Sequence, residues 1–204
     1  EISCSLVGSE MCIRDRYESD FEGQAASGYD MPVCDNVAFQ ENEPKKNKSY
    51  RTPEEALKAL FGYEAFRQGQ KEVIDNILSG RDVFAVMPTG AGKSVCYQIP
   101  AMLLPGITLV ISPLISLMQD QVKALNEAGI PAAFINSSLS ENMFYETVNR
   151  ARQGVYKIIY VAPERLVTDS FLELAQDIRI SMLTVDEAHC ICLLYTSPSP
   201  RDCS

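Results

Sequence analysis

Five apolar runs of strand length recur along this chain, at residues 83–87, 107–111, 132–135, 158–161 and 182–185. They lack the strict polar alternation of a half-exposed sheet. They read as parallel strands buried on both faces beneath crossover helices. Stretches with helical spacing at about 93–103, 115–127, 140–152 and 169–176 lie between them. The pattern predicts an α/β fold, a three-layer domain with a mostly parallel sheet.

Two further helices are expected upstream. Thr52-Pro53-Glu54-Glu55 supplies an N-cap, a proline at N1 and an acid at N3, followed by Leu57, Leu60 and Phe61 at helical spacing and then Gly62. A second helix runs from about 68 to 78, with Val73, Ile74, Ile77 and Leu78 inward, and stops at Gly80. Residues 17–50 are polar and acidic and read as a disordered leader. Order is expected to begin between Thr52 and Leu57, opening a domain over 51–191.

The 204 residues carry 18 Lys and Arg against 27 Asp and Glu, a net charge of −9. Residues 1–50 hold 5 basic and 10 acidic side chains, so the acid is concentrated there. This balance argues against indiscriminate coating of nucleic acid, though not against a local binding face. No apolar run approaches the length of a membrane span, and no basic-then-apolar signal segment opens the chain. The reading is a soluble protein with no membrane partner.

The two ends are unlike the middle. One choice of codons for residues 6–15, reverse-complemented and read in a shifted frame, spells Leu193 through Arg201. The shared DNA resembles a transposon-type sequencing adapter translated along with an insert. Residues 1–16 and 192–204 are therefore expected to be artefactual tails outside the fold. Of the seven cysteines, Cys34, Cys96 and Cys190 lie outside these tails, without metal-ligand spacing. That usage suggests a reducing, cytoplasmic compartment.

Chemistry concentrates in two places. Met87-Pro-Thr-Gly-Ala-Gly-Lys-Ser94 sits between an expected strand and helix, the context a phosphate-binding loop requires. Gly90 and Gly92 let backbone amides, with those of Thr89 and Ala91, close around phosphate oxygens. Lys93 can reach the β- and γ-phosphates of a nucleotide, and Ser94 can ligate Mg²⁺. Met87 stands where the usual pattern has its first glycine; a plain chain-reversing turn is the competing reading. The second place is Met182-Leu-Thr-Val-Asp186-Glu187-Ala-His189. Asp186 would hold the Mg²⁺ water shell, and Glu187 would orient the attacking water. A solvated strand end is the alternative. His189, the single histidine, either packs or couples the nucleotide site to a polynucleotide face.

With these residues placed, the chain resembles the RecQ family of DNA helicases over about residues 55–191. Five separated elements carry the resemblance in family order. They are Leu60-Phe-Gly-Tyr63-Glu-Ala-Phe66-Arg67-Gln-Gly-Gln70, the lysine loop, Ile111-Ser112-Pro113-Leu114-Ile-Ser116-Leu117-Met118-Gln-Asp120-Gln121, Tyr160-Val-Ala162-Pro163-Glu164-Arg165-Leu166, and Asp186-Glu187-Ala-His189-Cys190-Ile191. The resemblance implies a RecA-like P-loop NTPase domain that binds ATP and Mg²⁺. It puts Tyr63 and Gln70 at the adenine, Arg67 near the nucleotide, and Ser112, Pro113, Ser116 and Arg165 at DNA. For Tyr63 and Phe66, plain packing competes; for Arg165, a salt bridge to Glu164 or a neighbouring acid competes.

The resemblance also implies a parent protein that is a 3′-to-5′ ATP-dependent helicase acting on single-stranded or forked DNA. It would be nucleoid-associated in a bacterial cytoplasm, or nuclear in a eukaryote. No protein partner is deducible. A non-translocating NTPase and a non-catalytic nucleotide or single-stranded DNA binder are the rival readings. In the family, the strand between the lysine-loop strand and the acidic-box strand comes from sequence after the acidic box. The domain is therefore expected to be truncated there, with a slot that is hydrated, closed, or filled by Leu193-Leu194-Tyr195. Little ATPase and no unwinding are expected of the 204 residues.

Overall fold

The computed structural model describes residues 2–6, 50–88 and 90–187. They form an α/β domain whose sheet is flanked by helices. Strand β1 (Ile2–Leu6) comes first, then helices α1 (Pro53–Phe61) and α2 (Gln70–Leu78). Alternating elements follow: β2 (Val83–Val86), α3 (Lys93–Leu103), β3 (Ile107–Ile111), α4 (Ile115–Glu127), β4 (Ala132–Ile135), α5 (Glu141–Arg152), β5 (Ile158–Val161), α6 (Asp169–Asp177) and β6 (Ile180–Val185).

The start of α1 follows from its cap. The Thr52 hydroxyl accepts the Glu55 N–H at 3.2 Å, and the Glu55 carboxylate accepts the Arg51 N–H at 2.9 Å. Gly62 ends the helix at φ 71°, where its N–H reaches the Lys58 carbonyl. Tyr50 already packs against the core, so order begins before the Thr52–Leu57 window expected from the sequence. The rest of the expected leader lies outside the described residues.

The sheet order is β2-β1-β6-β3-β5-β4. Pairs β3–β6, β3–β5 and β4–β5 are parallel. Alternate residues of β3 and β5 supply two opposite faces. Val110, Ile158 and Tyr160 meet α3 and α4 through Tyr97, Met118 and Leu125. Leu109, Ile159 and Val161 meet α5 and α6 through Phe144, Val148 and Leu174. Both strands are buried throughout, and each fully buried Ile or Leu contributes about 1.5–3 kcal/mol.

Two expectations need correcting. The first placed residues 2–6 outside the fold and left the slot between β2 and β6 empty, closed or filled from residues 193–195. Instead β1 fills it, antiparallel to both neighbours, with Cys4 opposite Phe84 on one side and Val185 on the other. The physical reason is the row of N–H and C=O groups that an open slot leaves unpaired on two strands at once. The sequence Ile-Ser-Cys-Ser-Leu alternates with the strand period and is long enough to span it. Residues 192–204 lie outside the described residues. The second correction concerns β2, expected to be buried on both faces. Phe84 and Val86 are 66% and 68% exposed, because among the described residues no helix covers that face of β2.

Candidate nucleotide site

The lysine loop leaves the end of β2 and enters α3. The Ala91 N–H closes a turn onto the Pro88 carbonyl at 3.1 Å, and Gly90 and Gly92 sit at φ 80° and 79°. Gly92 is favoured by its backbone, and a side chain there would have to displace the Gln70 amide. Its φ is in the left-handed region, and a Cβ there would meet Gln70 Nε2 at 2.6 Å. Gln70 opens α2, is 3% exposed, and donates from Nε2 to the carbonyls of Ala91 and Gly92, both at 3.0 Å. Its Oε1 accepts the Arg67 N–H at 2.8 Å. The Arg67 guanidinium donates to the Gly90 carbonyl. Residues 67 and 70 thus hold the backbone of the loop. Tyr63 is 53% exposed, and Phe66 packs against the α1–α2–α3 core.

The acidic pair arrives from β6. The Asp186 N–H donates to the Ile111 carbonyl at 2.9 Å, extending the ladder with β3. Asp186 is buried, and its Oδ1 accepts the Glu187 N–H at 3.1 Å. Glu187 stands at φ 54°, a left-handed conformation uncommon for a residue with a Cβ and a mark of local constraint. The Glu187 carboxylate lies 4.0 Å from Lys93 Nζ, and the two side chains are only 12% and 10% exposed. Burial, followed by the charge of Glu187, pushes the Asp186 carboxyl above its ordinary range.

Beneath the pair lie two phenols: Tyr160 opens one of the five motif elements without a role read for its hydroxyl, and Tyr97 belongs to none of them. Tyr97 of α3 and Tyr160 of β5 have hydroxyls 3.1 Å apart, and Tyr97 lies 3.4 Å from Asp186 Oδ2. Burial raises both phenols, Tyr160 to about 12. Tyr97 stands in the apolar run Val95-Cys-Tyr-Gln-Ile, and nothing in helical periodicity separates a packed aromatic from one whose hydroxyl meets a carboxylate.

The residues read as DNA-facing gather at the C-terminal ends of β3 and β5. Ser112 is buried, with no partner for its Oγ among the described residues, Pro113 is half-buried, and Ser116 is exposed in the first turn of α4. Arg165 donates from Nε to the Asn136 carbonyl at 3.1 Å and lies 5.7 Å over the Phe144 ring. Among the described residues it forms no ion pair with Glu164. Thr89 and His189 lie outside the described residues.

Comparison with known proteins adds an independent line. The family model for DEAD/DEAH box helicases matches residues 67–194. An ATP-dependent DNA helicase RecQ from Bacillus subtilis is 53% identical over 136 residues, covering 66% of this chain and 23% of that protein. The corresponding Haemophilus influenzae protein is 50% identical over 135 residues, covering 66% and 22%. An Arabidopsis thaliana ATP-dependent DNA helicase Q-like 5 is 42% identical over 178 residues, covering 85% and 19%. The chain thus spans less than a quarter of the length of these relatives. With the family match running over well over half the chain, and the RecQ relatives at this identity, the chain belongs to the DEAD/DEAH box helicases and, among them, to the RecQ family.

Proposed function

We propose that the chain is the nucleotide-binding part of the first motor domain of an ATP-dependent 3′-to-5′ DNA helicase, folded as a three-layer RecA-like P-loop NTPase. The observation that carries this reading is the approach of Lys93 and Glu187 to 4.0 Å, with Asp186 beside them, from elements some 90 positions apart. Nothing in the packing of the core requires an ammonium and two carboxylates to converge at the end of a glycine-rich loop.

In this reading the amides of residues 89–92 and the N-terminus of α3 take the phosphate oxygens. Lys93 exchanges its contact with Glu187 for the β- and γ-phosphates, leaving Glu187 to orient the attacking water. Ser94 and Asp186 offer hard oxygen donors. Among the described residues no group of three or more His, Cys, Asp or Glu can hold a metal by itself. That donor set fits a Mg²⁺ that arrives with the nucleotide and completes its shell with phosphate oxygens and water. Bound there, Mg²⁺ supplies neutralisation of the phosphate charge. His189 is assigned to coupling between this site and DNA.

The adenine reading of Tyr63, Arg67 and Gln70 has to respect the bonds already made. Both N–H groups of Gln70 point to loop carbonyls, so the second lone pair of Oε1 is what the adenine amino group has available. For DNA, Ser112, Pro113, Ser116 and Arg165 stand at the carboxyl ends of parallel strands, where ligands of such sheets collect. The orphaned Ser112 hydroxyl suits a phosphate oxygen, and Arg165 has further guanidinium N–H groups for a backbone contact. The whole protein would act on single-stranded or forked DNA in a bacterial cytoplasm, or in a nucleus if eukaryotic.

Titration of the chain with a fluorescent adenine nucleotide in Mg²⁺, and separately with a labelled oligonucleotide, tests this. Lys93→Ala is expected to weaken nucleotide binding by about 100-fold, the upper range for a charge-assisted contact, without a comparable effect on the oligonucleotide. GTP is expected to compete less well than ATP. Equal nucleotide affinity in Lys93→Ala and the parent chain would defeat the reading.

A further inference from the structure

The hydrogen bonds under the acidic pair form a directed chain. Tyr97 and Tyr160 are 2% and 1% exposed, yet each carries a hydroxyl where phenylalanine would fill the same space. Burying a hydroxyl without a partner costs about 1–3 kcal/mol, so the direction of each bond matters. An ionised carboxylate only accepts, so Tyr97 donates to Asp186 Oδ2 across 3.4 Å. The Tyr97 oxygen then accepts from the Tyr160 hydroxyl at 3.1 Å. Next to Tyr97 in α3, the buried Gln98 donates from Nε2 to Gln121 Oε1 at 3.3 Å. Each donor finds one acceptor, and the series ends on a carboxylate.

We infer that Tyr97, backed by Tyr160, is a positioning residue that holds Asp186 so that its carboxylate faces the Mg²⁺-nucleotide. The inference rests on the nucleotide site proposed above. The Glu187 N–H constrains Oδ1 of Asp186, and the Tyr97 hydroxyl constrains Oδ2. With a hydrogen bond on each oxygen, rotation of the carboxylate is restricted. Tyr97 lies one helical turn beyond Ser94, on the element that the lysine loop itself launches, so loop and carboxylate are set by one helix.

The test uses the whole chain and a fluorescent adenine nucleotide, titrated with Mg²⁺ and compared with binding in EDTA. Tyr97→Phe keeps the ring and the packing. It is expected to raise the Mg²⁺ concentration for half-maximal binding roughly 3- to 10-fold, the loss of one long charge-assisted bond, while binding in EDTA stays unchanged. Tyr160→Phe should shift the midpoint the same way by less. The double variant should go no further than Tyr97→Phe alone, because Tyr160 acts through Tyr97. An unmoved Mg²⁺ midpoint in Tyr97→Phe overturns the inference. So does equal weakening with and without Mg²⁺, which marks a packing effect. Should Tyr97→Phe fail to fold, the same titration on Tyr160→Phe decides: a raised midpoint supports the inference, and an unmoved one overturns it. Failure of the unmutated chain to bind nucleotide in either condition refutes the nucleotide site itself, a result distinct from normal binding with an unshifted variant.

Discussion

The two sides of this sheet are held by different means. On one side β6, β3, β5 and β4 form parallel ladders, with β3 and β5 buried throughout and helices packed on both faces. On the other side, among the described residues, β2 reaches the rest of the sheet only through β1, a five-residue antiparallel strand remote in sequence, and one of its faces is exposed. The candidate site straddles the seam. Lys93 and Ser94 follow β2, whereas Asp186 and Glu187 follow β6. Stability and site geometry therefore depend on different parts of the chain. A change that spares the core can still separate the lysine from the carboxylates.

The largest expected effect lies on the well-packed side. Ile159 is fully buried in β5, between β3 and β4. Ile159→Ala should cost about 2–5 kcal/mol, the range for emptying such a position. It should lower the denaturant midpoint with little change in slope, as one cooperative loss. A cost near zero would mean that this side is no more tightly built than the other.

On the seam the expected effect is smaller and local. Cys4→Pro removes the N–H of a residue paired on both sides, and a proline cannot sit in a central strand without breaking the ladder. Amides in β2 should lose about 10-fold or more of their hydrogen-exchange protection, since a lost bond and a loosened strand together exceed ~1.4 kcal/mol. Amides in β3 should keep theirs. Equal loss in both strands would erase the distinction between a firm side and a borrowed one. No loss in β2 would mean that α2 and α3, not β1, hold that strand.

What the sequence disclosed follows the same division. Five parallel strands and the six helices were legible because each carries its own period or cap, as Thr52 and Gly62 show for α1. The observed β3, β4 and β5 have the expected spans, β2 ends one residue earlier and β6 begins two residues earlier. The filling of the slot was not legible. It depends on two distant strands presenting unpaired groups at once, which no local pattern records. In the site, the loop and the acidic pair were visible as motifs. The Gln70 amide turned onto the loop carbonyls and the Tyr97–Tyr160 pair beneath Asp186 were not, since both are decided by which groups burial leaves without water. Arg165 shows the limit in another way. Its neighbour in sequence, Glu164, was an obvious partner, yet the guanidinium goes to the Asn136 carbonyl and the Phe144 ring.

The smallest expected effect reads the seam through pH. Burial, then the charge of Glu187, raises the Asp186 carboxyl above its ordinary 3.8, against weaker opposing pulls from the Glu187 N–H, Lys93 and Tyr97. The folded chain therefore holds this proton more tightly than the unfolded chain. Stability from this group falls as pH rises from the unfolded value through the raised folded one, and the cost is complete above that window. Asp186→Asn removes the cost, and its side-chain oxygen can still accept from Tyr97 or from the Glu187 N–H. Without nucleotide, the variant should melt above the parent chain at pH 7, and the gap should shrink as pH approaches 4. A gap that stays constant with pH would show that ionisation of Asp186 is not the cause. The same measurement sharpens the comparison of the two sides. If β1 is what keeps water from the carboxylate, Cys4→Pro should admit it, relieve the desolvation and narrow the pH-dependent gap. A gap of the same size in the Cys4→Pro background would place the dryness of Asp186 with β3, α3 and Tyr97 instead, and the acidic pair would then belong wholly to the firm side of the sheet.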